Sequence, residues 1–392
     1  MTEQSAGGSP GALLQNVVPD ERQTKRRHLL HIFASFGFGG VPIRICDVIN
    51  ALPPGFHHTI VALDARFDAR KRLSPHVSAE FRELSLPKYC LPCSMFAFRD
   101  LMRRASPDLL LTYNWGAIEC VLANRIFRLC DHVHFESGFG AEEASRQLWR
   151  RNLFRRFALQ RVEKVIVPSN TLIKIATESW RVPPSKLLRI PNGVDVSRFH
   201  GIAGQRENGL LSAVGAYDTI IGTVAPLRPE KNVARLLRAF AMVPKEQNAA
   251  LVIAGDGTEL SRLRALARDL AIVDRTHFLG HVEDVPAVLR GMDIFALSSD
   301  TEQMPNSLLQ AMATARPIAA VDVGDVTSIV SPENRPLVVP RDDEKGLAEA
   351  LQSLITDPSR RKALGSSNQR RITSQYSLDG MVAAYGALLG AI

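Results

Sequence analysis

One stretch of the chain, Ser298 to Pro317, combines residue types that bind anionic, hydroxyl-rich molecules. A short apolar run ends there in small polar residues, as a buried parallel strand does where it reaches a crevice. Glu302 lies in the following loop, and Pro305 stands at the predicted first position of a helix. Such a helix start leaves unpaired backbone amides that suit a phosphate group, here those of Asn306, Ser307 and Leu308. Gln310 adds an amide side chain to the same helix face.

A second loop, Leu227–Asn232, supplies positive charge through Arg228 and Lys231. A cation at the end of a strand can neutralise a diphosphate leaving group, which sugar transfer without a metal requires. The alternative is a solvated basic turn. The chain contains no Asp-x-Asp sequence, the carboxylate pair that holds Mg²⁺ or Mn²⁺ against a diphosphate. We therefore expect neither a metal nor another cofactor.

The first predicted strand leads into a glycine-rich loop that ends in Gly39 and Gly40. Glycines there allow a ligand to approach the backbone closely. The loop does not match the Gly-x-Gly-x-x-Gly dinucleotide fingerprint, because Pro42 occupies the last glycine position. An oxidoreductase is therefore disfavoured, and an ordinary strand-to-helix turn remains the alternative.

Two further strand ends in the first half carry polar or aromatic residues. His134 and Glu136 end one predicted strand, and a lone histidine there is either structural or functional. Asn114 and Trp115 close the preceding strand. His134 is a candidate catalytic residue facing a cleft, and Asn114, Trp115 and Glu136 are candidates for its acceptor side.

These features together resemble the donor-site signature of the retaining GT-B glycosyltransferases of group 1, or family 4, which build bacterial polysaccharides and glycolipids. The signature has an acid, a following proline, an Ala-Met-Ala sequence and a closing proline, matched here by Glu302, Pro305, residues 311–313 and Pro317. At three positions the chain departs from the family pattern, which has a second acid, a glycine and an arginine in place of Gln310, Ala315 and Pro226, respectively.

The resemblance implies a role for each matched position. Glu302 would hold hydroxyls of the donor sugar, and Lys231 would bind the diphosphate together with the amides after Pro305. His134 would sit at the reacting face, where the leaving phosphate itself helps to accept a proton. Further donor contacts are implied at Gly39, Gly40, Arg228, Gly257, His281, Val282, Asn306, Ser307, Leu308 and Gln310.

The order of the predicted elements supports the same fold class. Short apolar runs alternate with helix-like segments twice along the chain, which predicts two parallel sheets with helices on both faces. Two such doubly wound domains bind ligands at the carboxyl ends of their strands, in a cleft between them. We expect a disordered tail at 1–27, a first domain at 28–200, a linker at 201–218 and a second domain at 219–376. The resemblance adds a final helix, 377–392, that crosses back to the first domain.

Composition limits the class of protein. The 392 residues are 45% hydrophobic and 22% charged, which is typical of a globular protein with two cores. No apolar run is long enough to span a bilayer and no signal peptide is evident, so we expect a cytoplasmic protein. The net charge of +8 indicates acidic partners, but no nucleic-acid-binding motif occurs. Cysteine pairing is not expected, and Cys90-x-x-Cys93 lacks the partners of a zinc site.

A predicted helix over Glu143–Arg161 mixes aromatic residues with many arginines. That composition suits the anionic inner face of a cell membrane. The equally weighted alternative is an amphipathic helix that packs on its own sheet with a solvated basic face.

Two functional hypotheses follow. The first is a retaining, metal-independent glycosyltransferase that moves a sugar from a nucleotide-sugar donor to a glycan or lipid-linked acceptor. The second is a catalytically weak or inactive relative that serves as a binding or assembly protein, suggested by the residues at 226, 310 and 315. The sequence does not identify the donor base, the sugar or the acceptor.

Overall fold

The computed structural model describes residues 26–87, 90–139, 141–143, 147–199, 214 and 216–391. A first sheet of seven parallel strands has the spatial order β3-β2-β1-β4-β5-β6-β7. Its strands are β1 (Arg27–Phe33), β2 (Phe56–Ala62), β3 (Ala79–Glu83), β4 (Leu109–Tyr113), β5 (Asp131–Phe135), β6 (Lys164–Val167) and β7 (Leu187–Arg189).

A second sheet of six parallel strands has the order β10-β9-β8-β11-β12-β13. Its strands are β8 (Thr219–Val224), β9 (Ala249–Ala254), β10 (Thr276–Gly280), β11 (Ile294–Leu297), β12 (Ile318–Val321) and β13 (Val338–Val339). In both sheets the strand order reverses beside the first strand, and ligands bind at such a reversal. The predicted α/β class with two doubly wound domains is confirmed.

Helices connect the strands of each sheet. Those of the first part are α1 (Gly40–Ala51), α2 (Leu91–Ala105), α3 (Ile118–Phe127), α4 (Trp149–Ala158) and α5 (Asn170–Glu178). Those of the second part are α6 (Val233–Ala241), α7 (Leu260–Asp269), α8 (Val285–Gly291), α9 (Asn306–Ala313), α10 (Val326–Ile329), α11 (Glu344–Ile355) and α12 (Pro358–Gln375). The last helix is α13 (Leu378–Ala391).

The strands form because their residues are apolar on both faces, as parallel sheets covered by helices require. Every residue of β9 is buried, for example. The final helix α13 returns to the first sheet, where Tyr385, Leu388 and Leu389 join the apolar core that contains Phe33 and Phe135. The rings of Tyr385 and Phe135 stack with their centroids 5.5 Å apart.

Several predicted boundaries differ from the structure. The tail predicted at 1–27 lies outside the described residues up to 25, and Arg27 already belongs to β1. Of the predicted linker, 201–213 and 215 lie outside the described residues, whereas Val214 is buried in the second core.

The helix predicted over 143–161 is wrong in its first part, because α4 begins only at Trp149. Glu143 instead ends a short 3₁₀ turn, and its carboxylate accepts a hydrogen bond from the Leu148 amide at 3.2 Å. That contact holds the chain just before the helix starts, so the acid acts from outside it.

Cys90 and Cys93 form a disulfide, which corrects the expectation of unpaired cysteines. Cys90 is the residue before α2 and Cys93 lies in its first turn, with 5.3 Å between their Cα atoms. That separation is within the ordinary range for a disulfide.

Among the described residues, none of the helices combines the length and the apolar character that a membrane span needs.

Candidate active site

The predicted acid and the predicted cation meet at the carboxyl edge of the second sheet. The Lys231 ammonium lies 2.6 Å from Glu302 Oε1, and the Ser299 hydroxyl donates to the same oxygen at 2.8 Å. The side chains of Lys231 and Glu302 are 21% and 10% exposed, so the ion pair is reachable from the cleft but largely desolvated. The sequence places these residues 71 positions apart, and the fold brings them together.

The loop that carries Glu302 is held from behind by a buried arginine. Arg235 donates to the Ser298 carbonyl at 2.8 Å, and its guanidinium lies 2.8 Å from the Asp300 carboxylate. A charged group with two such partners is costly to displace. The backbone on the N-terminal side of Glu302 is therefore fixed before any ligand binds.

The helix after Glu302 starts one residue later than predicted. Pro305 is extended, with φ −70° and ψ 118°, and α9 begins at Asn306. The amides of Asn306, Ser307 and Leu308 precede the first intrahelical bond, which the Leu309 amide donates to the Pro305 carbonyl at 3.3 Å. The N-terminal donors therefore have the position that the sequence predicts for a phosphate site.

The glycine loop of the first domain faces this helix start. A Cβ atom on Gly40 would lie 3.3 Å from Asn306 Nδ2, a tight but adjustable contact. Gly39 precedes α1 in an extended conformation, so its glycine is not required by the backbone there. The two predicted halves of the donor site, Gly39-Gly40 and the start of α9, are thus neighbours across the domain boundary.

Ser307 and Gln310 lie half-buried on the same part of α9. Neither side chain has a hydrogen-bond partner among the described residues. Both are therefore free to bind a polar ligand. A neutral amide at 310 forms weaker hydrogen bonds to hydroxyls than a carboxylate does.

Two loops of the second domain pack tightly beside the site. Gly257 has φ +159°, and a Cβ atom there would lie 2.3 Å from the Leu227 carbonyl oxygen. The Leu227 amide also donates to the Asp256 carbonyl at 2.8 Å. Gly257 is therefore needed to pack the loop that presents Arg228, whose side chain is exposed.

His281 and Val282 follow β10 at the same edge of the sheet. His281 is exposed, whereas Val282 is half-buried against the second core. The Gly255 amide pairs with the Gly280 carbonyl at 2.8 Å, which anchors this strand end.

The structure does not bring His134 and Glu136 to the cleft, where they were predicted. Both side chains are completely buried. His134 Nδ1 lies 2.8 Å from the Thr112 hydroxyl, and Glu136 Oε2 lies 3.4 Å from Arg155 Nε. Alternate residues of β5 face opposite sides of its sheet, and these two face the helical layer that contains α4. Their placement provides no support for a role at the reacting face.

Asn114 and Trp115 support the same buried region. The Asn114 side chain accepts a hydrogen bond from the Ser137 amide at 2.8 Å, which fixes the loop after β5. The Trp115 ring lies 4.8 Å from the Arg155 guanidinium carbon. These contacts are structural, and neither residue lines the interdomain cavity described below.

A polar contact between the domains was not predicted from the sequence. Asn192, 5% exposed, donates from Nδ2 to the Met304 carbonyl at 3.1 Å and to Asn306 Oδ1 at 2.9 Å. Arg44 of α1 donates to Asn192 Oδ1 and, at 2.7 Å, to the Ser137 hydroxyl. Asn192 belongs to a Pro-Asn-Gly sequence that indicated only a turn, so its partners had no local signal.

A second unpredicted contact is the Asp325 carboxylate, which accepts from the start of α5. Its oxygens receive the amide of Asn170 at 2.6 Å, the amide of Thr171 at 2.9 Å and the Thr171 hydroxyl at 2.7 Å. An acid at a helix N-terminus is stabilised by the free amides and by the helix dipole. Here the acid and the helix belong to different domains, so the contact latches them together.

A cavity of about 520 Å³ opens beside this latch and is lined by both domains. Glu302, Gln303 and Asp300 lie on one wall, and Phe139, Glu143 and Thr171 lie on the other. Most of its charged residues are acids, which suits a hydroxyl-rich ligand better than a phosphate. The basic and amide donors instead lie on the α9 side of Glu302.

Two sequence profiles match the chain, one to each domain. The profile for glycosyl transferases group 1 matches residues 214–371, and the profile for glycosyltransferase family 4 matches residues 38–198. The two matches cover most of the chain, and the first contains the Lys231–Glu302 pair and α9. The chain therefore combines a glycosyltransferase family 4 domain with a glycosyl transferases group 1 domain.

Curated relatives are similar over part of their length. A GDP-mannose-dependent monoacylated alpha-(1-6)-phosphatidylinositol monomannoside mannosyltransferase of Corynebacterium glutamicum is 31% identical over 204 residues, 49% of this chain and 53% of the relative. An N-acetyl-alpha-D-glucosaminyl L-malate synthase of Bacillus anthracis is 25% identical over 59% of this chain and 60% of its own. The aligned regions thus span a little over half of these relatives.

Solved structures share the fold of this chain. HepE of Anabaena, in a complex with UDP and glucose, superposes with a TM-score of 0.79 at 16% identity and covers 94% of this chain and 100% of its own. The likeness establishes the GT-B architecture for nearly the whole chain.

We expect Asp325→Ala to loosen the domain boundary. The substitution leaves the amides of Asn170 and Thr171 without an acceptor, a loss of about 1–3 kcal/mol in local stability. Amide hydrogen exchange at the start of α5 should accelerate by about 5- to 100-fold. Asp322→Ala is the matched control, because that carboxylate contacts the Thr327 hydroxyl within its own domain. Equal exchange at α5 in both variants would contradict the latch.

Proposed function

We propose that the chain is a retaining, metal-independent glycosyltransferase that uses a nucleotide-sugar donor and a glycan or lipid-linked acceptor. The observation that carries the proposal is the Lys231–Glu302 pair, with 2.6 Å between Nζ and Oε1, beside the free amides of α9. The cation and the helix N-terminus suit the diphosphate and the negative charge that it carries as it leaves. The carboxylate suits the sugar hydroxyls.

Donor binding changes the partners of the ion pair in this proposal. The diphosphate competes with Glu302 for the Lys231 ammonium, while the amides of α9 receive its remaining charge. The carboxylate then accepts hydrogen bonds from sugar hydroxyls. Since the pair is largely desolvated, this exchange replaces one paired arrangement with another and leaves neither charge alone.

Retention of configuration requires no protein nucleophile when the leaving phosphate accepts the proton of the attacking hydroxyl. Lys231 and Ser299 hold the Glu302 carboxylate in place, so we assign Glu302 the role of orienting the sugar. The positive groups around the phosphate make up for a metal, which is the basis for the metal-independent assignment.

The names of the relatives indicate only a class of donor and a class of acceptor. Two names specify GDP-mannose or an N-acetylglucosaminyl product, and HepE is seen with UDP. We propose a hexose carried by a nucleoside diphosphate, in a cytoplasmic enzyme of polysaccharide or glycolipid synthesis. The acidic cavity beside Glu302 is the proposed entry for the acceptor hydroxyl.

The second candidate, an inactive binding relative, rests on three positions. Pro226 is exposed where the family carries a charge, and Gln310 is neutral. Ala315 adopts φ 56° after α9, a left-handed conformation that costs a non-glycine residue about 1 kcal/mol. The last departure affects stability alone, so the question concerns diphosphate charge and hydroxyl binding.

The Glu302→Gln variant tests the proposed function. Replacing the carboxylate weakens its bonds to sugar hydroxyls, so we expect kcat/KM to fall by about 10- to 100-fold. The assay screens UDP-, GDP- and ADP-sugars for thermal stabilisation and then for nucleotide release with a crude acceptor. NMR of the product reports the anomer, and EDTA should leave the rate unchanged.

Glu349→Gln is the control, since that exposed acid lies on α11 and forms an exposed pair with Lys345. Tight donor binding without turnover by the wild-type chain would favour the binding relative. Failure to bind any nucleotide would overturn both candidates.

Gln310→Glu tests the neutral position on α9. A carboxylate there should tighten donor binding several-fold, because charge-assisted bonds to hydroxyls exceed neutral ones by about 1 kcal/mol. Titration calorimetry measures the change in affinity for the donor that the nucleotide-sugar screen identifies. Gln352→Glu on α11 is a matched control for added charge. Weaker binding by Gln310→Glu would show that Gln310 is adapted to a different ligand.

We also propose that α4 binds an anionic membrane surface. The helix exposes Trp149, Leu153 and Phe157 at 68%, 59% and 54%, while Arg155 is fully buried. These apolar residues recur every four positions and so form one stripe, with exposed Arg156 beside it. Arg150 is exposed on the same helix, so the outward surface of α4 carries apolar and basic side chains together.

Arg155 is stable in the interior because it has partners. It donates to both Glu143 oxygens at 3.1 and 3.0 Å, and its guanidinium carbon lies 5.1 Å from the Trp180 ring centre. Burial alone would raise the pKa of Glu143, but the hydrogen bonds from Arg155 hold that pKa below its ordinary value. The pair fixes α4 with its apolar stripe directed outward.

Membrane binding should depend on lipid charge and on the stripe. Vesicles with phosphatidylglycerol should co-sediment the chain, whereas neutral vesicles or high salt should not. Trp149→Ala with Phe157→Ala should weaken binding about tenfold or more. Met242→Ala, which removes an exposed apolar side chain of the second domain, should have no effect. Equal binding to neutral and anionic vesicles would contradict the proposal.

A further inference from the structure

Two histidines and a glutamate meet at the edge of the first sheet that lies opposite the cleft. His28, His57 and Glu80 are the second residues of β1, β2 and β3, three neighbouring strands. One ring nitrogen of each histidine and a carboxylate oxygen all lie within 4.8 Å of one another. Each of the three residues is partly buried. No role in sugar transfer accounts for this grouping.

The three side chains are held in place by further hydrogen bonds. The Thr59 hydroxyl lies 2.7 Å from His28 Nε2 and donates to Glu80 Oε1 at 2.5 Å. The Ser78 hydroxyl lies 2.9 Å from His57 Nδ1. A histidine that binds a metal usually keeps a protein partner on its other nitrogen, which fixes the ring. The Ser78 hydroxyl is positioned to be that partner for His57.

We propose that His28, His57 and Glu80 form a binding site for a divalent transition metal ion of the zinc type. Imidazole and carboxylate ligands suit zinc, cobalt or nickel, whereas magnesium and calcium prefer oxygen alone. Three protein ligands leave a fourth position for water, because the site is partly exposed. Ligand bonds of about 2.0–2.2 Å require the three side chains to close in slightly around the ion.

Two neighbours set the strength of this site. Arg82 lies 3.0 Å from Glu80 Oε1, so its positive charge opposes a bound cation. The Thr59 hydroxyl satisfies His28 and Glu80 while no ion is bound. Arg82 is 43% exposed and can turn toward solvent when the ion enters. Removal of the Arg82 charge should therefore strengthen metal binding.

The position indicates a structural role. β3 is the edge strand of the first sheet and pairs only with β2. A metal held by β1, β2 and β3 ties this edge to the centre of the sheet. The ligands lie at the amino ends of strands whose carboxyl ends face the cleft, about 17 Å away for a five-residue strand. Metal binding should thus stabilise the first domain without changing sugar transfer.

The full-length chain without an affinity tag tests the site with cobalt and zinc ions. Cobalt should give the visible absorption of a tetrahedral ion with nitrogen and oxygen ligands, saturating at one ion per chain and displaced by zinc. His57→Ala and Glu80→Gln should each lower the affinity by at least about tenfold. Arg82→Gln should raise it several-fold. Zinc should also raise the unfolding temperature in a concentration-dependent way.

His76→Ala is the matched control, because His76 is exposed in the loop before β3 and lies outside the cluster. Its affinity for cobalt should equal that of the wild-type chain. Circular dichroism in EDTA shows whether each variant is folded before the metal is added. The absence of saturable one-to-one binding overturns the proposal. Equal binding by a folded Glu80→Gln variant overturns it as well.

Discussion

The candidate active site depends on the hydrogen bonds that hold the two domains against each other across one cleft. Each domain has its own sheet and its own apolar core. Each sheet is stabilised by its own apolar core, which fixes its strands but does not determine the position of the other sheet. The start of α9 is held against the first domain by Asn192, and α5 is held against the second by Asp325. Both contacts use amides or carbonyls that a helix or loop leaves unpaired. Because such groups are costly to bury without a partner, these contacts favour the observed arrangement of the two domains.

Much of the second domain was predictable, since its signals are local. Apolar runs and turn residues indicate its alternating strands and helices, and the spacing around Glu302 gives the start of α9 to within a residue. The candidate residues of the first domain are harder to place, because β5 is buried on both sides and residue type does not show which face His134 or Glu136 occupies. Asp325 and Asn170 lie 155 positions apart, and no local pattern connects them. Their pairing follows only from the fold.

The same limit applies to the orientation of α4. A pattern of arginines and aromatic residues predicts an amphipathic helix but not which side is buried. Arg155 has Glu143, Glu136 and three aromatic rings around it, so the interior accepts the charge. The exposed apolar stripe of Trp149, Leu153 and Phe157 is the consequence. The proposed membrane surface and the proposed donor cleft together suit an acceptor that is itself held in lipid.

The return of α13 to the first sheet affects how the protein is made. Met381, Tyr385, Leu388 and Leu389 complete a core whose other members come from the first 190 residues. Those four side chains leave the ribosome only after the whole second domain has emerged. Domains usually fold in the order of synthesis, but this first core stays incomplete until α13 has been made. Loss of α13 therefore damages the domain that is made first.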